Sequence, residues 1–182
     1  MSFNCFVCLE INNRAKIKPK KTTIDASMEV LTFLLILGSV ILIATNYTQL
    51  PQMLPIHFNW PSKDENGFGT KDVLWINPII CGMIAIGIYK LNKYPWIFNY
   101  PLTIDTANAQ YNYRQAMLLL RAVNLTVGLL CFSMTLMSVL DGLGVKNDLS
   151  RYLKPAFVIL LLGLPLAYLL KIIIYKKQLR NK

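Results

Sequence analysis

The residues best suited to chemistry sit between two long apolar stretches. They run Leu50-Pro51-Gln52-Met53-Leu54-Pro55-Ile56-His57-Phe58-Asn59-Trp60 and resume at Lys63-Asp64-Glu65-Asn66-Gly67-Phe68-Gly69-Thr70-Lys71. His57 is the only histidine in the chain. Imidazole is the commonest metal ligand and titrates near neutrality, so two chemical readings arise. In one, His57 shares a metal with Asp64, Glu65 and Asp72. A single histidine with loop carboxylates matches no standard ligand spacing, so no metal is expected. In the other, His57 acts as a general acid–base with Asn59 and Asp64. Nothing nearby supplies a nucleophile or an oxyanion site, so no catalytic residue and no cofactor is expected.

Two non-catalytic readings compete with these. Pro55, His57, Asn59 and Gly69 would fold the segment back onto a bilayer surface, the polar side chains pairing backbone groups that burial would otherwise strand. Alternatively, Phe58, Trp60 and Phe68 are aromatic anchors for a partner, with His57, Asn59 and Asp64 beside them. Lys71 then marks the interface. Pro51 and Pro55 oppose helix, and Gly67 and Gly69 favour turns, so the segment is expected to be irregular.

The elements that must position this loop are apolar. Of 182 residues, 54% are hydrophobic and 15% charged, with mean hydropathy +0.43. Soluble domains average nearer a quarter charged, which points to membrane helices. Four spans are expected: 30–46, 73–91, 116–140 and 153–175, the first reaching the length to cross about 30 Å of hydrocarbon with its flanks. Ala44-Thr45-Asn46 is a poor cleavage site, so the first stretch reads as an uncleaved span rather than a signal peptide. Pro78 falls in the first turns of the second span, where a proline is tolerated. Cys81, Gly82 and Ala85 are small enough for close helix approach. Tyr94, Trp96, Phe98 and Tyr100 suit an interfacial aromatic belt, and Asp105 or Thr106 suits a helix N-cap. Two polar residues enter the third span, Arg121 and Asn124. An intramembrane ionisable group is a functional candidate, but Arg121 lies close enough to the helix end to snorkel to the interface. Pro165 predicts a kink in the fourth span.

Charge sets the expected topology. Five Lys or Arg precede the first span, three lie between the second and third, and five accompany the carboxy-terminal end; the two other loops hold five between them. Thirteen against five places both termini in the cytoplasm and the His57 loop outside. The net charge of +10 therefore reads as membrane orientation, and nucleic acid is not an expected partner. Cys81 and Cys131 read as buried small hydrophobes. Cys5 and Cys8 lack a second pair for zinc. Residues 1–27 are basic and without apolar periodicity and are expected to be disordered, with Met28 a candidate initiator. Residues 28–175 form the membrane domain and 176–182 a basic tail.

One resemblance emerges. Leu50-Pro51, Pro55-Ile56-His57-Phe58-Asn59, then Gly69-Thr70-Lys71 resembles the bacterial membrane family catalogued as domain of unknown function 1648, to which the SdpI-type immunity proteins are related. It extends through Tyr94 to Pro101 and Asn108 to Tyr111. Trp60-Pro61-Ser62 stands where the family usually has a glycine, and Asp64 and Asn66 both fit its aspartate position. The resemblance implies a bacterial plasma-membrane protein that protects the cell from a secreted killing peptide and can sequester a cytosolic regulator. A small transporter component or membrane enzyme centred on His57 is the alternative. The expected architecture is an all-α integral membrane protein: four transmembrane helices, the lipid bilayer as first partner, and an irregular extracytoplasmic His-Phe-Asn loop.

Overall fold

A computed structural model describes residues 14–55, 68–145 and 149–180. The chain is mostly helical. Among the described residues four helical stretches are long and apolar enough to cross a membrane, Thr23–Asn46, Lys71–Leu91, Ala109–Gly142 and Arg151–Ile174; their α-helices are α1 (Thr23–Asn46), α2 (Ile76–Leu91), α3 (Ala109–Gly142) and α4 (Leu149–Arg180). Between α1 and α2 two short strands, β1 (Met53–Pro55) and β2 (Phe68–Thr70), pair antiparallel with Leu54 opposite Gly69. The expected irregular loop thus has an ordered stem. A 3₁₀ turn, Lys71–Trp75, leads into α2.

α1 begins five residues before the expected boundary at Met28 because its start is capped. Thr22 caps Asp25, and Asp25 returns a bond to the Thr22 backbone, a reciprocal box that satisfies first-turn donors. Residues 14–22 form an extended strap laid against the bundle rather than a disordered tail. Arg14 is buried and donates to the Phe98 carbonyl at 2.6 Å, and Tyr113 Oη donates to the Ala15 carbonyl at 3.1 Å. Residues 1–13 of the expected tail lie outside the described residues, and the partners of Arg14 and Ala15 lie more than eighty residues away, where no local pattern reveals them.

Cross-helix contacts fix the directions. Glu29 meets Arg121, Ser39 meets Cys131, and Leu54 packs at Gly142, so α1 and α3 run parallel. Asn77 meets Thr135 and Asn124 meets Ala85, so α2 is antiparallel to α3. Lys171 Nζ donates to Gln115 at 2.8 Å, making α4 antiparallel as well. The strap, residues 92–108 and the end of α4 therefore share one end of the bundle, and the hairpin occupies the other. α3 is central: α1, α2, α4 and β1 all pack on it.

The faces are arranged for lipid. Val30, Leu34, Leu37 and Ile41 of α1 are exposed, while its inward positions are Asp25, Glu29, Thr32, Ile36, Ser39 and Ile43. Those positions repeat every three or four residues, one stripe of a helix, and the stripe is largely polar or small. With lipid as apolar as leucine, helices associate through close packing and interior hydrogen bonds, so this polarity is expected of a membrane bundle. Cys81 and Ala85 face inward as expected, whereas Gly82 has open space beside it. Most of α4 exposes leucine and isoleucine and buries only a narrow strip, including Ile172.

A polar seam crosses the middle. Asn77 Nδ2 donates to the Cys131 carbonyl and to Thr135 Oγ1, both at 3.0 Å, and the Cys131 thiol reaches Ser39 Oγ at 3.5 Å. Replacing Asn77 with Ala removes two of these bridges. The expected loss is about 0.6–1.7 kcal/mol, the range of interhelical hydrogen bonds in membranes, read as a shift in unfolding in mixed detergent. A variant as stable as the wild type would mean that Asn77 does not tie α2 to α3.

Candidate functional site

The hairpin end holds part of the segment singled out by sequence. Pro51 is exposed, Gly69 is buried in β2 opposite Leu54, and Pro55 ends β1. His57, Phe58, Asn59, Trp60, Asp64 and Gly67 lie outside the described residues. The stem is seated on α3: Leu50 and Leu54, 4% and 2% exposed, cluster with Val139, and their methyl groups fill the space a Cβ would take at Gly142. Lys71 joins the stem to the end of α1. Its Nζ donates to the Tyr47 carbonyl at 3.1 Å and lies 4.4 Å from the centre of the Tyr47 ring. The Tyr47 phenol donates to Asp72, which holds its pKa above the ordinary tyrosine value. Lys71 and Asp72 are thereby committed to the stem, where Trp75 also meets the Tyr47 ring.

The opposite end holds a cluster that the sequence reading did not assemble. Arg121 does not snorkel. It is 4% exposed and turned inward, with Nε donating to Glu29 Oε1 at 2.9 Å and Nη1 at 3.4 Å from Asp25 Oδ1. Arg114, two turns earlier on the same face of α3, donates to the other Asp25 oxygen and to Thr22 Oγ1 at 3.1 Å. Lys21 closes the ring on Glu29 Oε2 at 2.6 Å. Three cations thus face two carboxylates, and Asp25 is fully buried. A lone charge at this depth is costly, and snorkelling loses to pairing because α1 presents both carboxylates within reach.

The local reasons are visible in the chain. Asp25 and Glu29 are four residues apart and share a face of α1; Arg114 and Arg121 are seven apart and share a face of α3. Thr22-Thr23-Ile24-Asp25 also has the spacing of a capping box. A reading that takes residues 1–27 as one tail and starts the span at Val30 separates Asp25 and Glu29 from the helix that carries them.

Asn124 sits one turn deeper than Arg121. Its Nδ2 donates to the Ala85 carbonyl at 3.3 Å, and its Oδ1 has no hydrogen-bond partner among the described residues. The expected aromatic belt is partly interior: Tyr100 is 7% exposed and packs with Tyr113, while Tyr94 is half exposed. Burial pushes the Tyr100 phenol well above its ordinary pKa, so it remains the donor of a 2.9 Å bond to the Pro95 carbonyl. Neither expected N-cap side chain bonds the first turn of α3. Asp105 and Asn108 instead pair reciprocally, backbone N–H to side-chain oxygen, at 2.8 and 3.2 Å just ahead of it.

Chemically, the charge cluster is a set of ion pairs, and among the described residues no nucleophile is poised beside a base in it. What it can do is fasten: it holds strap, α1 and α3 together at one end, as Leu50 and Leu54 hold the hairpin to α3 at the other. Compared with known proteins, the chain matches no protein-family model, no curated protein and no solved structure.

Proposed function

We propose that this chain is an SdpI-like immunity or toxin-sensing protein of a bacterial plasma membrane, binding or excluding a secreted amphipathic peptide at its outward hairpin. One observation carries the reading. The two parallel helices that support the hairpin, α1 and α3, are the same two that close the ion cluster at the far end. A ligand that displaced the hairpin would load both helices, and a cytosolic regulator would read the result at the strap and the 92–108 loop. Thirteen Lys and Arg on the strap side against five on the hairpin side support the outward assignment. His57, Phe58, Asn59, Trp60 and Asp64 are the residues proposed to meet the peptide, and aromatic anchors suit an amphipathic ligand.

The test is survival of a sensitive host challenged with killing-peptide supernatant, with and without the protein. His57→Ala and Asn59→Ala are run at matched membrane levels. Expected is protection by the intact chain and loss of protection in either variant, from a peptide affinity about tenfold weaker when one contact of about 1.4 kcal/mol is removed. An intact, membrane-inserted protein that never protects would sink the proposal. Stoichiometric metal in the purified protein, lost with His57→Ala, would instead favour a transporter component or enzyme centred on His57.

A further inference from the structure

Beside the ion cluster the strap and the start of α3 enclose an open cleft of about 670 Å³. Lys18, Lys20, Thr22 and Arg114 supply part of its polar lining, beside Gln110 and Tyr111, and Ile17 and Ala107 part of its apolar wall. Among the described residues no carboxylate lines it, because Asp25 is buried behind Arg114 and already paired. Lys18 and Lys20 are exposed, and among the described residues neither side chain has a hydrogen-bonding or ionic partner. Lys16 on the same strap is exposed as well. The cleft is therefore electropositive, with its arginine held in a fixed orientation by Lys20 O and Thr22.

Its depth narrows the choice of anion. α1 has 24 residues, about 36 Å at 1.5 Å each, against a hydrocarbon core of about 30 Å. α3, with 34 residues, is about 51 Å long and must project further. The first turn of α1 and residues 109–114 of α3 thus lie in the headgroup layer, where the strap joins them. Ile24, in that first turn, is 69% exposed and offers a surface for an acyl chain beside the cleft.

We infer that this cleft is a binding site for the phosphate headgroup of an anionic phospholipid, gripped by Lys18 and Lys20 against the edge of Arg114. The strap's lysines would then be held by lipid, and the ion cluster would be sealed from water on that side. The inference is independent of any immunity role.

The test uses the full-length protein in neutral detergent, with native mass spectrometry and thermal unfolding as readouts. Phosphatidylglycerol, phosphatidylcholine, inorganic phosphate and polyglutamate are added separately. Expected is a retained one-to-one phosphatidylglycerol adduct and a raised Tm, neither given by phosphatidylcholine. The double variant Lys18→Gln/Lys20→Gln should weaken the adduct about thirtyfold, from two lysines near a charged surface. Lys90→Gln, an exposed lysine outside the cleft, should leave it unchanged. Equal binding of the two lipids, or equal loss in Lys90→Gln, would overturn the site. Tm elevation by phosphate alone, or displacement of the lipid by polyglutamate at matched charge, would overturn its assignment to lipid. If the double variant fails to fold, the wild-type comparison of the four additives decides.

Discussion

Arg121→Met is expected to destabilise the protein by about 3–5 kcal/mol, the cost of leaving buried carboxylates without their partner. Among the described residues, Glu29 Oε1 loses its only guanidinium donor and Asp25 Oδ1 its only cation. Both carboxylates are at most 8% exposed, so water cannot replace what is lost. Lys21 still reaches Glu29 Oε2 and Arg114 still reaches Asp25, which places the expected loss at the lower part of that range. The discriminating variant is the triple change Arg121→Met, Asp25→Asn, Glu29→Gln. Removing both charges together with the cation should recover most of the stability, since an apolar or neutral replacement of a buried ion pair is often close to neutral. Equilibrium unfolding in mixed detergent would measure both. A single variant as stable as the wild type would mean that Arg121 reaches the interface after all.

The four spans were legible because apolar runs without charge leave little choice of solvent. The termination of apolar pattern at Glu29 was misleading. In a soluble helix a carboxylate marks the wet face, but in this bundle the inward stripe of α1 is the polar one, from Asp25 through Thr32 to Ser39. The sign of the hydrophobic pattern is reversed where lipid is outside, so Asp25 and Glu29 looked like flank and Arg121 looked like an interface residue. The strap was invisible for a different reason. Arg14 and Ala15 find their partners at Phe98 and Tyr113, and such long-range pairing leaves no periodicity near residues 14–22. The strand pair lay between these cases: Pro55 and Gly69 suggested a break from helix, but both stand in paired strands, and Leu54 opposite Gly69 is seated on α3 at Gly142.

The contact that lets all of this close is at Gly128, and Gly128→Leu is the second large effect expected. A Cβ at this position would lie 3.0 Å from the Thr32 carbonyl oxygen and 3.2 Å from Thr32 Cα. Both are backbone atoms of α1, so nothing can rotate aside. Thr32 is fully buried, and its hydroxyl is already donated to the Met28 carbonyl at 2.8 Å. Small residues at such points are what allow membrane helices to approach. Leucine must push α1 from α3, and overpacking of this kind costs about 1–3 kcal/mol before secondary losses. The secondary loss is specific: Glu29 is one turn from Thr32 and Arg121 two turns from Gly128, so separation there stretches the 2.9 Å pair between them. Gly128→Ala should cost less than Gly128→Leu but more than Gly82→Leu, because Gly82 has nothing within 4 Å and substitution there should change stability by about 0.5 kcal/mol or less. Gly142 makes the useful contrast. Its neighbours are the Cδ2 atoms of Leu54 and Leu50 at 2.5 and 2.6 Å, flexible ends that can turn away, so Gly142→Ala should tilt the hairpin while leaving the helix pair intact. Unfolding of the four variants in mixed detergent orders them. If Gly128→Leu unfolds with Gly82→Leu, α1 and α3 do not touch at Thr32, and the parallel pair proposed to join hairpin to ion cluster loses its closest contact.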